Sequence, residues 1–154
     1  MIRRLLLGGI GILVVGMFAI QLVPYGRDHT NPPVTGDPPW DSAATRATAV
    51  SACFDCHSNE TEWPWYSNIA PMSWRLQQHV DEGRAALNFS EWGTGEQEAD
   101  DIVETVREGE MPPWDYPITH PDARLSEADL RTFIDGLTRT FGAGEQGEDG
   151  GDED

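Results

Sequence analysis

Cys53, Cys56 and His57 carry the most specific chemistry in this chain. With Phe54 and Asp55 they spell Cys-x-x-Cys-His, and they include both cysteines of its 154 residues. One helical turn brings residues three apart onto the same side of the backbone. Two thiols at that spacing can each add across one vinyl group of a haem, and the adjoining imidazole then lies under the iron. The motif is the attachment signal of c-type haem. His57 is the expected proximal ligand, which leaves the opposite face of the iron to a second ligand or to an open position.

Three other chemistries use similar residues. A thioredoxin-like redox pair sits at a helix start after a strand, whereas Ser42 to Ala52 upstream is alanine-rich and helix-like. Structural zinc takes four ligands, usually with a second Cys/His pair, and no such pair exists here. A Cys53–Cys56 disulfide gives a stapled structural domain but does not call for the histidine.

The sixth ligand is sought in the rest of the chain. Gly109-Glu-Met-Pro-Pro-Trp114 follows a helix-like stretch, and Pro112 and Pro113 donate no hydrogen bonds and restrain the residue before them. Met111 is therefore expected on a constrained loop, as the distal ligand of a Met/His pair. The alternative is His79. It falls on the apolar face of a helix begun by Pro71, with Met72, Leu76, Val80 and Gly83 at helical spacing. An apolar-face histidine is more often a hydrogen-bonded core residue.

Four segments position these groups. Residues 1–23 read as an N-terminal transmembrane signal anchor. Arg3 and Arg4 precede nineteen uncharged residues, Leu5 to Val23, enough to cross a bilayer and oriented with the arginines inside. No Ala-x-Ala closes the stretch, which favours a retained anchor over a cleaved signal. Residues 24–41 hold five prolines and read as an extended tether, with an arm wrapped on the domain as the other reading. Residues 42–141 are the expected c-type haem-binding domain. Its helices are Ala43 to Ala52 capped by Asp41 or Ser42, the one begun by Pro71, one over Gln97 to Glu108, and one after Ser126. The last carries a capping-box pattern with Asp129 and the stripe Leu130, Phe133, Ile134, Leu137, which is expected to pack on the first helix. Trp63-Pro-Trp-Tyr66 is expected to wall the haem pocket. Residues 142–154, glycine and acid, read as a disordered tail.

The formal net charge is −17, and after Val23 eight arginines face 27 acids. Such a surface repels nucleic acid. It suits redox partner proteins with basic docking surfaces.

Cys53-x-x-Cys56-His57, Trp63-Pro-Trp-Tyr-Ser-Asn-Ile-Ala-Pro71, Leu87-Asn-Phe-Ser-Glu-Trp92 and Met111-Pro112 together resemble the small haem-binding domain family of bacterial membrane and periplasmic proteins. The resemblance spans about Ser42 to Phe141. It implies one covalent haem c on Cys53 and Cys56, with His57 as proximal ligand, but no particular reaction. The expected fold is all-α: a cytochrome c-like helical domain around one haem, behind a transmembrane helix. The expected function is a membrane-anchored monohaem cytochrome carrying electrons, its haem domain facing the periplasm or cell exterior. Two rivals are a haem-based sensor or gas-binding module with a displaceable sixth ligand, and a peroxidase-like enzyme using His79 with Arg75 or Arg84.

Overall fold

Apolar, uncharged residues from Leu5 onward make helix α1, Ile2–Ile20. The computed structural model describes residues 2–93 and 101–142, and among them every regular element is helical. α1 has a mean hydropathy of 1.8 and none of it is buried. At 1.5 Å per residue it is about 28 Å long, close to the thickness of a hydrocarbon core. By length and composition it fits a single membrane span or a signal sequence.

The all-α expectation holds for the domain. α2 (Ala43–Ala52) starts where Ser42 Oγ accepts the Thr45 N–H at 3.1 Å. α3 (Phe54–His57) is a single turn, α4 spans Met72–Ala86, α5 Ile102–Arg107, α6 Tyr116–Thr119 and α7 Glu127–Phe141. In α7 Ser126 Oγ accepts the Asp129 N–H at 3.2 Å and donates to the Asp129 carboxylate at 2.6 Å. The cap satisfies a helix-end N–H that would otherwise lack a partner. Residues 97–100, expected to open the third helix, lie outside the described residues, and so does the tail 143–154.

Phe133 and Leu137 on α7 are buried with Ala49 of α2, Val106 of α5, and Phe54, Leu87 and Phe89. The centre of this core is aromatic. Phe54 stacks on Phe89 at 5.4 Å between centroids, Trp40 meets Phe89 at 5.3 Å and Trp92 meets Phe141 at 5.1 Å. Pairs of this kind add about 0.5–1.5 kcal/mol each beyond their burial.

Trp40 belongs to the segment read as a tether or an arm, and its contacts are those of an arm. Thr35 and Gly36 donate their N–H groups to the Ser90 carbonyl at 2.8 and 2.9 Å. Asn59 Nδ2 donates to the Pro33 carbonyl at 3.1 Å, and the His29 ring stacks on Trp63 at 4.6 Å. Of the Trp-Pro-Trp-Tyr cluster, Trp63, Pro64 and Tyr66 line one cavity beside the Cys56 turn, and Trp65 does not. Trp63 is taken up by the arm, while Trp65, in a 3₁₀ turn over Trp65–Asn68, is 76% exposed.

Candidate functional site

Cys53 sits at the junction of α2 and α3. Its N–H donates to the Ala49 carbonyl at 2.8 Å, ending α2, and its own carbonyl accepts the His57 N–H at 2.9 Å, closing α3. Both cysteines are free thiols. Burial, the larger cause for each, pushes Cys53 up to about 12 and Cys56 up to about 11. Both therefore stay protonated at neutral pH, which slows disulfide chemistry that needs a thiolate.

His57 Nδ1 lies 3.2 Å from the Leu87 carbonyl oxygen. A carbonyl only accepts, so Nδ1 carries the proton and Nε2 is left with a free lone pair. Burial lowers the His57 pKa, which keeps the ring neutral, the form that ligates metals.

The turn is fastened from several directions. Ser58 Oγ donates to the Phe54 carbonyl at 2.7 Å and Thr61 Oγ1 to the Asp55 carbonyl at 2.8 Å. Arg84 of α4 donates to four oxygens at 2.8–3.0 Å: the Ser58 and Thr30 carbonyls, Asn31 Oδ1 and Thr61 Oγ1. Asn59 donates its N–H to Ser90 Oγ at 3.0 Å and accepts from Asn88 Nδ2 at 2.9 Å. Gly83 lets α4 cross the turn, because a Cβ there would stand 2.5 Å from the Cys56 carbonyl oxygen. The sequence reading missed the roles of Arg84, Asn59, Asn88 and Ser90. Their one signal was short polar residues flanking the motif and interrupting the apolar Leu87–Trp92 run.

Of the cavities beside the turn, two border both Cys53 and His57. One of about 350 Å³ is walled by Cys53, Cys56, His57, His79 and Met111, with Ala52, Ala86, Pro112 and Pro113 among its apolar lining. The other, about 220 Å³, shares Cys53, His57, Ala86 and Met111 and runs toward Ile102 and Val106. The two thiols, His57 and both candidate distal ligands thus border the first cavity, and of the two distal candidates Met111, not His79, also borders the second. Neither Arg75 nor Arg84 lines the first cavity, but Arg75 borders a separate cavity of about 140 Å³ together with Cys56 and His79. Arg84 is committed to the arm and Arg75 pairs with Asp115. Two thiols, an imidazole with a free Nε2 and a thioether around small apolar residues fit a flat macrocycle with an iron at its centre. Among the described residues no group of three or more His, Cys, Asp or Glu side chains is placed to hold a bare metal ion.

The loop bearing Met111 is held mainly at its far end. Tyr116 OH donates to Asp55 Oδ2 at 2.8 Å, and the His120 ring stacks on Tyr116 at 4.0 Å with Nε2 3.3 Å from the same carboxylate oxygen. Burial first, then the Asp55 charge, raises the Tyr116 pKa and keeps its proton in that bond. Met111 itself is 39% exposed and Trp114 85%.

A family model described as a haem-binding domain matches residues 15–139. The chain belongs to the haem-binding domain family. The match begins inside α1 and covers the arm, the attachment turn, the Met111 loop and most of α7, so the haem-binding domain includes both walls of the cavities. No significant match is found among curated proteins or solved structures.

Proposed function

We propose that this haem-binding domain is a monohaem c-type cytochrome, held to the membrane by α1 and passing electrons between partners outside the cytoplasm. One observation carries the reading: Cys53, Cys56, His57 and Met111 border one cavity, and the Leu87 carbonyl leaves His57 Nε2 free toward a metal. Cys53 and Cys56 would hold the haem through thioethers, each thiol adding across a vinyl group with sulfur on one vinyl carbon and hydrogen on the other. Bound iron supplies the one-electron ferrous/ferric couple.

The chain's residues do the rest. The Leu87 carbonyl fixes the ring orientation of His57 and makes it a stronger donor, as such outer partners do at metal sites. Ala52, Ala86, Pro112 and Pro113 give the cavity an apolar lining against the macrocycle. Met111 would offer the iron a soft thioether, which would raise the potential relative to bis-histidine ligation.

A second reading has its own support. The exposure of Met111 and the sparse bonding of its loop favour a sixth ligand that a small gas displaces, as in a haem-based sensor. Stopped-flow mixing of the reduced protein with carbon monoxide at neutral pH, beside Met111→Ala and His79→Ala, separates the two. Slow, partial binding made fast and complete only by Met111→Ala supports the carrier. Fast, complete binding by the unaltered protein supports the sensor.

A further inference from the structure

The junction of α1 with the domain is a built contact. Gln21, one residue past α1, donates from Nε2 to the Ala70 carbonyl at 2.9 Å, and its Oε1 accepts the Ala70 N–H at 3.0 Å. Arg27 Nη2 donates to the same Oε1 at 3.1 Å. One side-chain amide thus pairs with both backbone groups of a residue 49 positions away. Gly26 closes the contact. At φ +77° its backbone lies on α4, where a Cβ would stand 2.1 Å from the Ser73 carbonyl oxygen. Before this point Ile2 to Ala19 are exposed along their whole length. α1 therefore projects free of the domain and is pinned to it at one end.

We propose that the domain is seated on the outer face of the bilayer, with Trp65, Ile69 and Met72 in the lipid headgroup layer. The inference rests on reading α1 as a retained membrane anchor. A spanning helix ends at the interface, and the Gln21 pairing brings Ala70 to that same level. Trp65, Ile69 and Met72 are within five residues of Ala70. The turn between them is closed by the Ile69 N–H on the Tyr66 carbonyl at 3.0 Å, so they stay near it. They are 76%, 39% and 40% exposed, and Leu22, Val23 and Tyr25 beside the exit are exposed too. The headgroup layer adds about 5–7 Å on each side of the hydrocarbon core, and tryptophan and tyrosine favour it.

The partner is a phospholipid surface, held by apolar and aromatic contact, because the acidic domain gains nothing from anionic headgroups. Arg27, fastened to Gln21, is the cation placed nearest the exit. The seat also sets the position of the cavities. α4 runs from Met72 at the seat to Gly83 and Ala86 at the attachment turn, so the haem site lies within about 20 Å of the bilayer surface. A redox partner embedded in the same membrane is then within reach without any swing of a tether.

The test uses the full-length, haem-loaded protein in vesicles of phosphatidylethanolamine and phosphatidylglycerol. The photo-crosslinker p-benzoylphenylalanine replaces Trp65 in one variant. In another it replaces Thr132, exposed on α7, a helix that packs on α2 and α5. Mass spectrometry after illumination is expected to find phospholipid adducts at position 65 and none at 132. Adding Gln21→Ala to the position-65 variant is expected to lower the adduct yield by about half or more, since two hydrogen bonds of the pin are gone. An intact N-terminus with no lipid adduct at 65, or with equal adducts at both positions, overturns the seat while leaving the anchor standing. An intact mass that lacks α1 overturns the anchor and the seat together.

Discussion

The two sides of the candidate haem site are built differently. On the attachment side, His57, Cys53 and Cys56 sit on a single helical turn bound by Ser58, Thr61 and the four-oxygen grip of Arg84. On the other side, Met111 lies at a half-exposed loop, and its N–H reaches the Thr105 carbonyl at only 3.4 Å. Its ties are the Tyr116–Asp55 bond and the Arg75–Asp115 ion pair, five and four residues further on. The difference teaches how a small domain serves one cofactor. In the proposed site the permanent ligand, His57, would be set in a half-buried turn held by many hydrogen bonds, and the tuning ligand, Met111, would sit where a small free-energy change moves it.

Breaking the attachment side is expected to cost most. Gly83→Val places side-chain atoms against the Cys56 carbonyl and is expected to destabilise by about 3 kcal/mol or more, as severe overpacking does. Its haem content per chain should fall with the denaturation midpoint, and an unchanged midpoint would show that α4 does not press on the turn. Arg84→Met keeps the stem but strands four acceptors, costing about 2 kcal/mol. In chemical denaturation it should leave the spectrum of the folded protein unaltered.

The distal side should respond the other way round. Tyr116→Phe removes one hydrogen bond and is expected to cost about 1 kcal/mol while raising the carbon monoxide on-rate. It also changes the alkaline limb of stability. A phenol with a raised folded pKa keeps its proton while the unfolded chain releases one above pH 10.0. Stability therefore falls with rising pH by up to about 1.4 kcal/mol per unit, and Tyr116→Phe should flatten that slope. Parallel slopes for the two proteins would mean that Tyr116 is not held by Asp55. Met111→Ala is expected to change stability least, within about 0.5 kcal/mol for a half-exposed side chain. It should nevertheless lower the reduction potential by on the order of 100 mV. A potential unmoved by Met111→Ala but shifted by His79→Ala would transfer the sixth position to His79.

What could be read in the sequence was what local chemistry fixes. The Ser42 and Ser126 caps and the Leu130–Leu137 stripe declare their helices within a few residues, and the thiol spacing of Cys53 and Cys56 is the one that covalent haem attachment would impose. What escaped depends on partners far apart in the chain. Arg84 reads as one charged residue on a helix until Thr30, Asn31, Ser58 and Thr61 are brought around it. For Trp40 the sequence allowed both a spacer and an arm packed on the domain, and only Phe54, Phe89 and Phe141 around it decide for the arm. The stacking of Trp63 on His29, 34 residues upstream, was illegible for the same reason. The Tyr116–Asp55 bond spans 61 residues, and no periodicity could announce it.

The central claim is that Cys53 and Cys56 hold one haem covalently. A pyridine haemochrome spectrum on denatured protein, made in cells with haem-attachment machinery, tests it directly when paired with the intact mass. The expected result is a c-type spectrum and the mass of one added haem, both lost in a Cys53→Ala, Cys56→Ala double variant. An unmodified polypeptide mass, or haem that extracts freely into acid acetone, would contradict the account and leave the cavities without their covalent occupant.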